Sequence, residues 1–236
     1  MSALLTTATA ADTVCRENRI AVLPIGSFEQ HGDHLPLITD TAIACVIADR
    51  IATAYDLFLL PPITIACSQE HEGFPGTVSI GAKTLIAIVD DVIASLARAG
   101  ITKLVLANGH GGNYVLSNVV VQHNATGRNL TLFPTSEDWN IARIHASMQT
   151  SGHDDMHGGE LETSLLLHAH PQLVGASYAT ADNLAGDRRL FLITRMAGYT
   201  TSGIIGRPSL ATKAKGKAAV ESLVESFADH LKILTE

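Results

Sequence analysis

The chain has 236 residues, 46% of them hydrophobic and 17% charged, with a formal charge of −7. That composition excludes a disordered chain and supports a core large enough for one α/β unit over residues 1–236. Lys213, Lys215 and Lys217 are the one cationic concentration, three lysines of a solvated helix face, which argues against a nucleic-acid partner.

Strand-like and helix-like segments alternate. Ile20–Ile25 is a short apolar run stopped by Gly26 and reads as a buried strand. Residues 41–54 follow with helical spacing at Ile43, Val46, Ile47 and Ile51, and the apolar run 57–60 ends at Pro61-Pro62. Residues 84–99 place Leu85, Ile88, Val89, Val92, Ile93 and Leu96 on one stripe before Gly100, a helix stop. Residues 103–107 (KLVLA) form a second clear strand, followed by a glycine turn, a helix over about 114–126 and a strand at Leu130–Phe133. Helices over Glu160–Ala169 and 211–234 complete the set. This alternation predicts a mostly parallel central sheet flanked by helices, with the site at the carboxyl ends of its strands.

The three cysteines, Cys15, Cys45 and Cys67, are widely spaced, odd in number and form no CxxC pair. That argues against a disulfide framework or a zinc ribbon and for a reducing compartment. The opening MSALLTTATAADTVC lacks a basic n-region and a proper apolar h-region. No apolar stretch reaches the roughly 18 residues of a membrane helix. The expectation is a soluble, cytoplasmic protein with no membrane partner.

Imidazole, carboxylate and glycine concentrate in three places: Glu29-Gln30-His31-Gly32-Asp33-His34 with Asp40 behind, Asn108-Gly109-His110-Gly111-Gly112-Asn113, and His157-Gly158-Gly159-Glu160-Leu161-Glu162. These are donors for Zn²⁺ or Mn²⁺, with glycines that let backbone approach an ion. Glu29 and His31, two apart at a strand end, point the same way. Asp40 at a helix start can cap the helix, bridge two metals, or do both. His110 sits on a strand-to-helix turn, and its neighbouring glycines fit neither a P-loop nor a dinucleotide fingerprint. Glu160 and Glu162 open a helix about 200° apart, so at most one faces a shared metal; electrostatic capping is the plainer role for each. His153 and His157 have i, i+4 spacing, but flanking glycines oppose a helix there. Glu70, His71 and Glu72 precede a rigid Gly73–Thr77 turn that lines a pocket wall, and Trp139 is a candidate roof.

Together the stretches LPIGSFEQHGDHLPLITD, EHEGFPGTVS, NGHGGN and HGGELETS, in that order, resemble the creatininase family of metal-dependent amidohydrolases. The resemblance implies a three-layer α/β fold, a homohexamer and two adjacent divalent ions, Zn²⁺ and/or Mn²⁺ with Fe²⁺ as a further candidate. It matches Glu29, Asp40 and His110 to one metal, His31 and the bridging Asp40 to the other, and His157 to the catalytic histidine. The family glutamate two residues after the motif histidine is here Gly112. Glu160 is the expected substitute ligand, with Glu162 in a supporting role. Asp33 stands where a proline is often found.

The implied chemistry is hydrolysis of a C–N amide bond, a lactam or N-formyl group of a small polar substrate, by a hydroxide bridging the metals. A protonated His157 delivers a proton to the leaving nitrogen. The alternatives are a same-fold hydrolase of a peptide or carbon–carbon bond, and a non-catalytic metal-binding scaffold.

Overall fold

Four strands and eight helices follow one another in the computed structural model, which describes residues 6–14 and 19–236. A short helix α1 (Ala10–Val14) precedes β1 (Ile20–Ile25), α2 (Thr39–Tyr55), β2 (Phe58–Leu59), α3 (Ala82–Arg98) and β3 (Lys103–Asn108). Then come α4 (Val115–His123), β4 (Leu130–Phe133), α5 (Ser136–His145), α6 (Glu160–Ala169), α7 (Phe191–Thr194) and α8 (Lys213–Thr235). Cys15 lies outside the described residues, as does part of the opening segment.

The strands pair in the order β2-β1-β3-β4, all parallel, with Ile20 opposite Lys103 and Ile25 opposite Asn108. Residue parity divides the core. Ile20 and Val22 of β1, Val105 and Ala107 of β3 and Phe133 of β4 pack with α2, α5, α6 and α8. Ala21, Leu23, Ile25, Leu104 and Leu106 face the other way, onto Leu85 and Val89 of α3 and Leu116 and Val119 of α4. The result is three layers, with the sheet buried on both faces as parallel sheets require.

Chain order explains where the site falls. From β1 the chain crosses by α2 to β2 on one side, then by α3 to β3 on the other. The connections leaving the carboxyl ends of β1 and β3 therefore diverge and open a crevice between them, the usual ligand position in a doubly wound sheet. Glu29 and His31 follow β1, and His110 follows β3.

Several elements differ from the sequence expectation, among them the short helices α1 and α7, which it did not include. The strand expected over 57–60 shrinks to two residues at the sheet edge, because Pro61 and Pro62 bring no donors to a ladder. The helix after the glycine turn ends at His123 and tightens into a 3-10 turn over Asn124–Thr126. The segment before His157 contains α5, started by a capping box in which Thr135 accepts from the Asp138 backbone and Asp138 accepts from that of Thr135. Among the described residues, no helix is long and apolar enough to cross a membrane.

Candidate metal centre

Asp40 occupies the first turn of α2, yet its side chain makes no cap hydrogen bond. It turns instead into the crevice, where Ser27 Oγ donates to Oδ2 at 2.7 Å. Oδ1 lies 3.0 Å from His31 Nε2, and Oδ2 lies 2.8 Å from His110 Nδ1. Each carboxylate oxygen thus faces a different imidazole.

Those imidazoles are pinned from behind. His31 Nδ1 bonds the Glu29 carbonyl at 3.0 Å and His110 Nε2 bonds the Cys67 carbonyl at 2.7 Å. A carbonyl accepts only, so each ring commits its N–H there and turns its other nitrogen, carrying a lone pair, toward Asp40. A lone pair facing a carboxylate oxygen at hydrogen-bond distance needs a proton or a cation between them. Burial disfavours a charged imidazole at both sites. The carboxylates nevertheless outweigh it, Asp40 first for His31 and Glu29 first for His110, pushing them up to about 9 and about 10.

Glu29 is wholly buried, and neither carboxylate oxygen has a hydrogen-bond partner. His71 Nε2 stands 3.1 Å from Oε1 and His110 Nε2 stands 3.2 Å from Oε2, without hydrogen-bond alignment. Burial raises Glu29 to about 8, partly offset by His110. A buried, unsatisfied carboxylate among imidazoles suits a cation. Three groups each bring ligand atoms within 4.8 Å of one another: Glu29, Asp40 and His110; His31, Asp40 and Glu162; and Glu29, His31 and His157. The nitrogen and oxygen donors and the carbonyl-held rings fit a divalent metal.

Five of the six residues singled out from sequence, Glu29, His31, Asp40, His110 and His157, therefore converge. Glu160 does not. Its carboxylate accepts from the backbone of Gln149 and Thr150, from Thr150 Oγ1 and from Lys215 Nζ, on the side of α6 away from the crevice. Glu162, about 200° further round the helix, points the other way: Oε2 is 4.0 Å from His31 Nε2 and accepts from the Gly158 backbone at 2.6 Å. The structure thus turns Glu160, the expected substitute, away from the cluster and brings Glu162 to it. Asp155 fixes this helix phase. It accepts from the Glu160 and Leu161 backbones and pairs with the buried Arg143 at 2.8 Å. Gly159 leaves room for it, since a Cβ there would meet Asp155 Oδ1 at 1.6 Å.

His157 Nε2 bonds the Gln30 carbonyl at 2.6 Å, and its ring packs 4.1 Å from that of His31. Burial, reinforced by His31 and His71, holds it well below the ordinary histidine range. With Nε2 held on a carbonyl, the lone pair of the neutral ring falls on Nδ1, 3.8 Å from Glu29 Oε1. Sequence reasoning gave His71 only a wall position. Its Nδ1 accepts from Gln30 Nε2 at 3.0 Å, so its N–H sits at Nε2, toward Glu29. His153 is exposed outside any helix, and Asp33 is exposed as well.

A cavity of about 880 Å³ reaches this centre at His110 and Glu162, with Trp139, Leu132, Met156 and Tyr114 among its walls.

The fold is a doubly wound α/β sheet with a buried cluster of metal-type donors in its crevice, and comparison with known proteins places it. The family model for creatininase, described as creatinine amidohydrolase, matches residues 3–231. The chain belongs to the creatininase family. It is 34% identical to the mycofactocin precursor peptide peptidase of Mycolicibacterium smegmatis over 90% of this chain and 84% of that protein. It is 28% identical to the creatinine amidohydrolase of Pseudomonas putida over 90% of this chain and 88% of that one. Among solved structures, a manganese creatininase superimposes with a TM-score of 0.71 at 25% identity, covering 90% of both chains. A creatininase mutant of Zn-Zn type also gives a TM-score of 0.71 at 25% identity, covering 90% of this chain and 89% of that one.

Proposed function

We propose that this chain is an amide hydrolase that works with two divalent ions sharing Asp40. One observation carries the reading: the two Asp40 oxygens face separate imidazoles, at 3.0 and 2.8 Å, each ring held from behind by a main-chain carbonyl. Glu29, Asp40 and His110 would hold one ion, and His31, Asp40 and Glu162 the other. Zn²⁺ or Mn²⁺ bound there, with Fe²⁺ suited to the same donors, supplies Lewis acidity that brings the pKa of water from about 16 toward roughly 7 and polarises a carbonyl.

The chain's own residues do the rest. His157 Nδ1, left free because Nε2 is held on Gln30, takes the proton of the attacking water and returns it to the leaving nitrogen. His71, with its N–H toward Glu29, orients that carboxylate. Trp139 and Met156 at the cavity wall hold the substrate beside the reacting centre. The creatinine amidohydrolase relative supports a lactam of a small polar substrate, and a formylaminopyrimidine deformylase relative supports an N-formyl group. A second reading, a peptide bond, is favoured by a cavity of about 880 Å³, near the upper end for ligand pockets (about 300–1,000 Å³), and by the 34% identical peptidase. The homohexamer is part of the same proposal, and its test is sedimentation, with six chain masses expected.

The test is metal content on the purified protein, then hydrolysis of creatinine, an N-formyl amine, short peptides and a cyclic ketone at saturating Zn²⁺ or Mn²⁺. Two ions per chain with turnover of any amide supports the reading. Two ions with turnover of the ketone alone moves it to carbon–carbon cleavage, and two with no turnover leaves a non-catalytic scaffold.

A further inference from the structure

The geometry points to Glu70 as a positioning residue that holds His110 from behind, in the space that Gly112 leaves open. This rests on the metal-centre reading for its effect on the ion, though not for its effect on the ring. Glu70 belongs to the 3-10 turn Gln69–His71, outside all three ligand groups. That turn addresses the centre with two successive side chains. His71 faces Glu29 at 3.1 Å, and Glu70 brings Oε1 to 3.5 Å from His110 Nε2. The turn is itself anchored, since Gln69 Nε2 donates to the Ile80 carbonyl at 2.7 Å and the His71 backbone to Ser68 at 3.0 Å.

The His110 edge in question is the one that does not face Asp40. Nε2 has the Cys67 carbonyl at 2.7 Å, Glu29 Oε2 at 3.2 Å to one side and Glu70 Oε1 at 3.5 Å on its flank. A metal-binding imidazole characteristically presents its second N–H to a carbonyl or carboxylate, which fixes the ring and makes the ligating nitrogen more basic. Asn113 locks the two loops that must stay in register: its Oδ1 accepts from the Cys67 backbone at 3.1 Å, and its Nδ2 donates to the Gly26 carbonyl at 3.2 Å.

Gly112 is what permits the arrangement. A Cβ on residue 112 would lie 1.8 Å from Glu70 Oε1 and 2.4 Å from His110 Nε2. Any side chain there would evict the Glu70 carboxylate. The glycine is therefore an occupied position, filled by a carboxylate from another loop. Glu70 is only 13% exposed and, among the described residues, no hydrogen bond to its carboxylate is recorded. A carboxylate so placed is costly unless positive charge lies near, and a cation held by His110 and Asp40 would supply it.

Two readouts on Glu70→Gln, which keeps the shape and removes the charge, test this. In the metal-free protein, the His110 Nε2–H proton resonance is expected to move while those of His31 and His157 hold; an unmoved His110 resonance overturns the inference. In chelator-competition titrations with Zn²⁺, Glu70→Gln is expected to weaken one bound equivalent about 10- to 100-fold, with far-UV spectrum and melting temperature of the metal-free protein unchanged. Wild-type affinity in the variant overturns the inference while leaving the metal centre standing. No metal in the wild type overturns the metal reading instead, and the resonance measurement still decides the role of Glu70. Gly112→Ala is expected to move the same resonance, and failure to move it also overturns the inference.

Discussion

Asp40 meets His110 through Oδ2 at 2.8 Å, leaving Oδ1 for His31 on the other side of the crevice. One carboxylate at the start of α2 thus ties the loop after β1 to the loop after β3. Asp40→Asn replaces one anionic oxygen with an NH₂ donor, which cannot accept from an imidazole or bind a cation. The expected result is loss of at least one of two ions and a fall in turnover of about 1,000-fold, roughly 4 kcal/mol of transition-state stabilisation. Metal analysis beside kinetics checks it; a variant keeping both ions would remove Asp40 from the bridging position.

Glu162 and Glu160 are expected to separate function from stability. Glu162→Gln lowers metal content and activity with little change in the melting temperature of the metal-free protein. Glu160→Gln leaves metal content intact and destabilises, because it abandons Lys215 at a buried pair. Breaking such pairs costs about 3–5 kcal/mol, and the lysine's 16% exposure places this one at the lower end. At this chain length that corresponds to a drop of roughly 6–12 °C.

The pH dependence of that second variant follows from the direction of the Glu160 shift. Burial alone would raise its carboxyl, but the hydrogen bonds from Lys215, Thr150 and Gln149 hold it below the ordinary value of 4.5. A group depressed in the folded state stabilises above its unfolded pKa, and that stability is lost as pH falls through the folded value. The melting gap between wild type and Glu160→Gln is therefore expected to stay constant from pH 7 to about 5 and to close below about 4.5. A gap that does not narrow at all as pH falls below the ordinary carboxyl value would contradict the assignment.

His157→Ala is expected to retain both ions and lose about 100- to 10,000-fold in turnover, the usual contribution of a proton-transferring side chain. Near-normal turnover with metals bound would take His157 out of the chemistry. Loss of an ion would instead make it a ligand with Glu29 and His31, the third group within reach.

The alternation of apolar runs and helical stripes was enough to place both central strands, because a sheet buried on two faces is written as continuous runs such as IAVLPI and KLVLAN. Glu29, His31, Asp40 and His110 were legible for a related reason: they sit directly after strands or at a helix start, where topology brings chain ends together. Glu160 and Glu162 were not separable. Both lie in the first turn of α6, and which one faces the crevice depends on helix phase, set by Asp155, Arg143 and Lys215 at other points of the chain. Glu70 and His71 carry no periodicity at all. Their approach to Glu29 and His110 is a tertiary contact made by a 3-10 turn, and the one local trace of it was the unexplained glycine at 112. Helix α5 was signalled by Thr135 and Asp138, a capping box that follows Pro134 closely enough to read as loop.

Trp139 offers a check on where substrate binds. It lies on α5, partly packed against the core, and contributes to the wall of the cavity that reaches His110 and Glu162. A side chain that touches substrate equally in ground and transition states affects KM and leaves kcat alone. Trp139→Ala is therefore expected to raise KM several-fold, by roughly 1–2 kcal/mol of lost contact, with kcat within about twofold of wild type and metal content unchanged. A collapse of kcat at constant KM would mean that Trp139 acts on the reacting centre itself, through the order of water around it, and would shift the binding surface toward the Leu132 and Met156 walls.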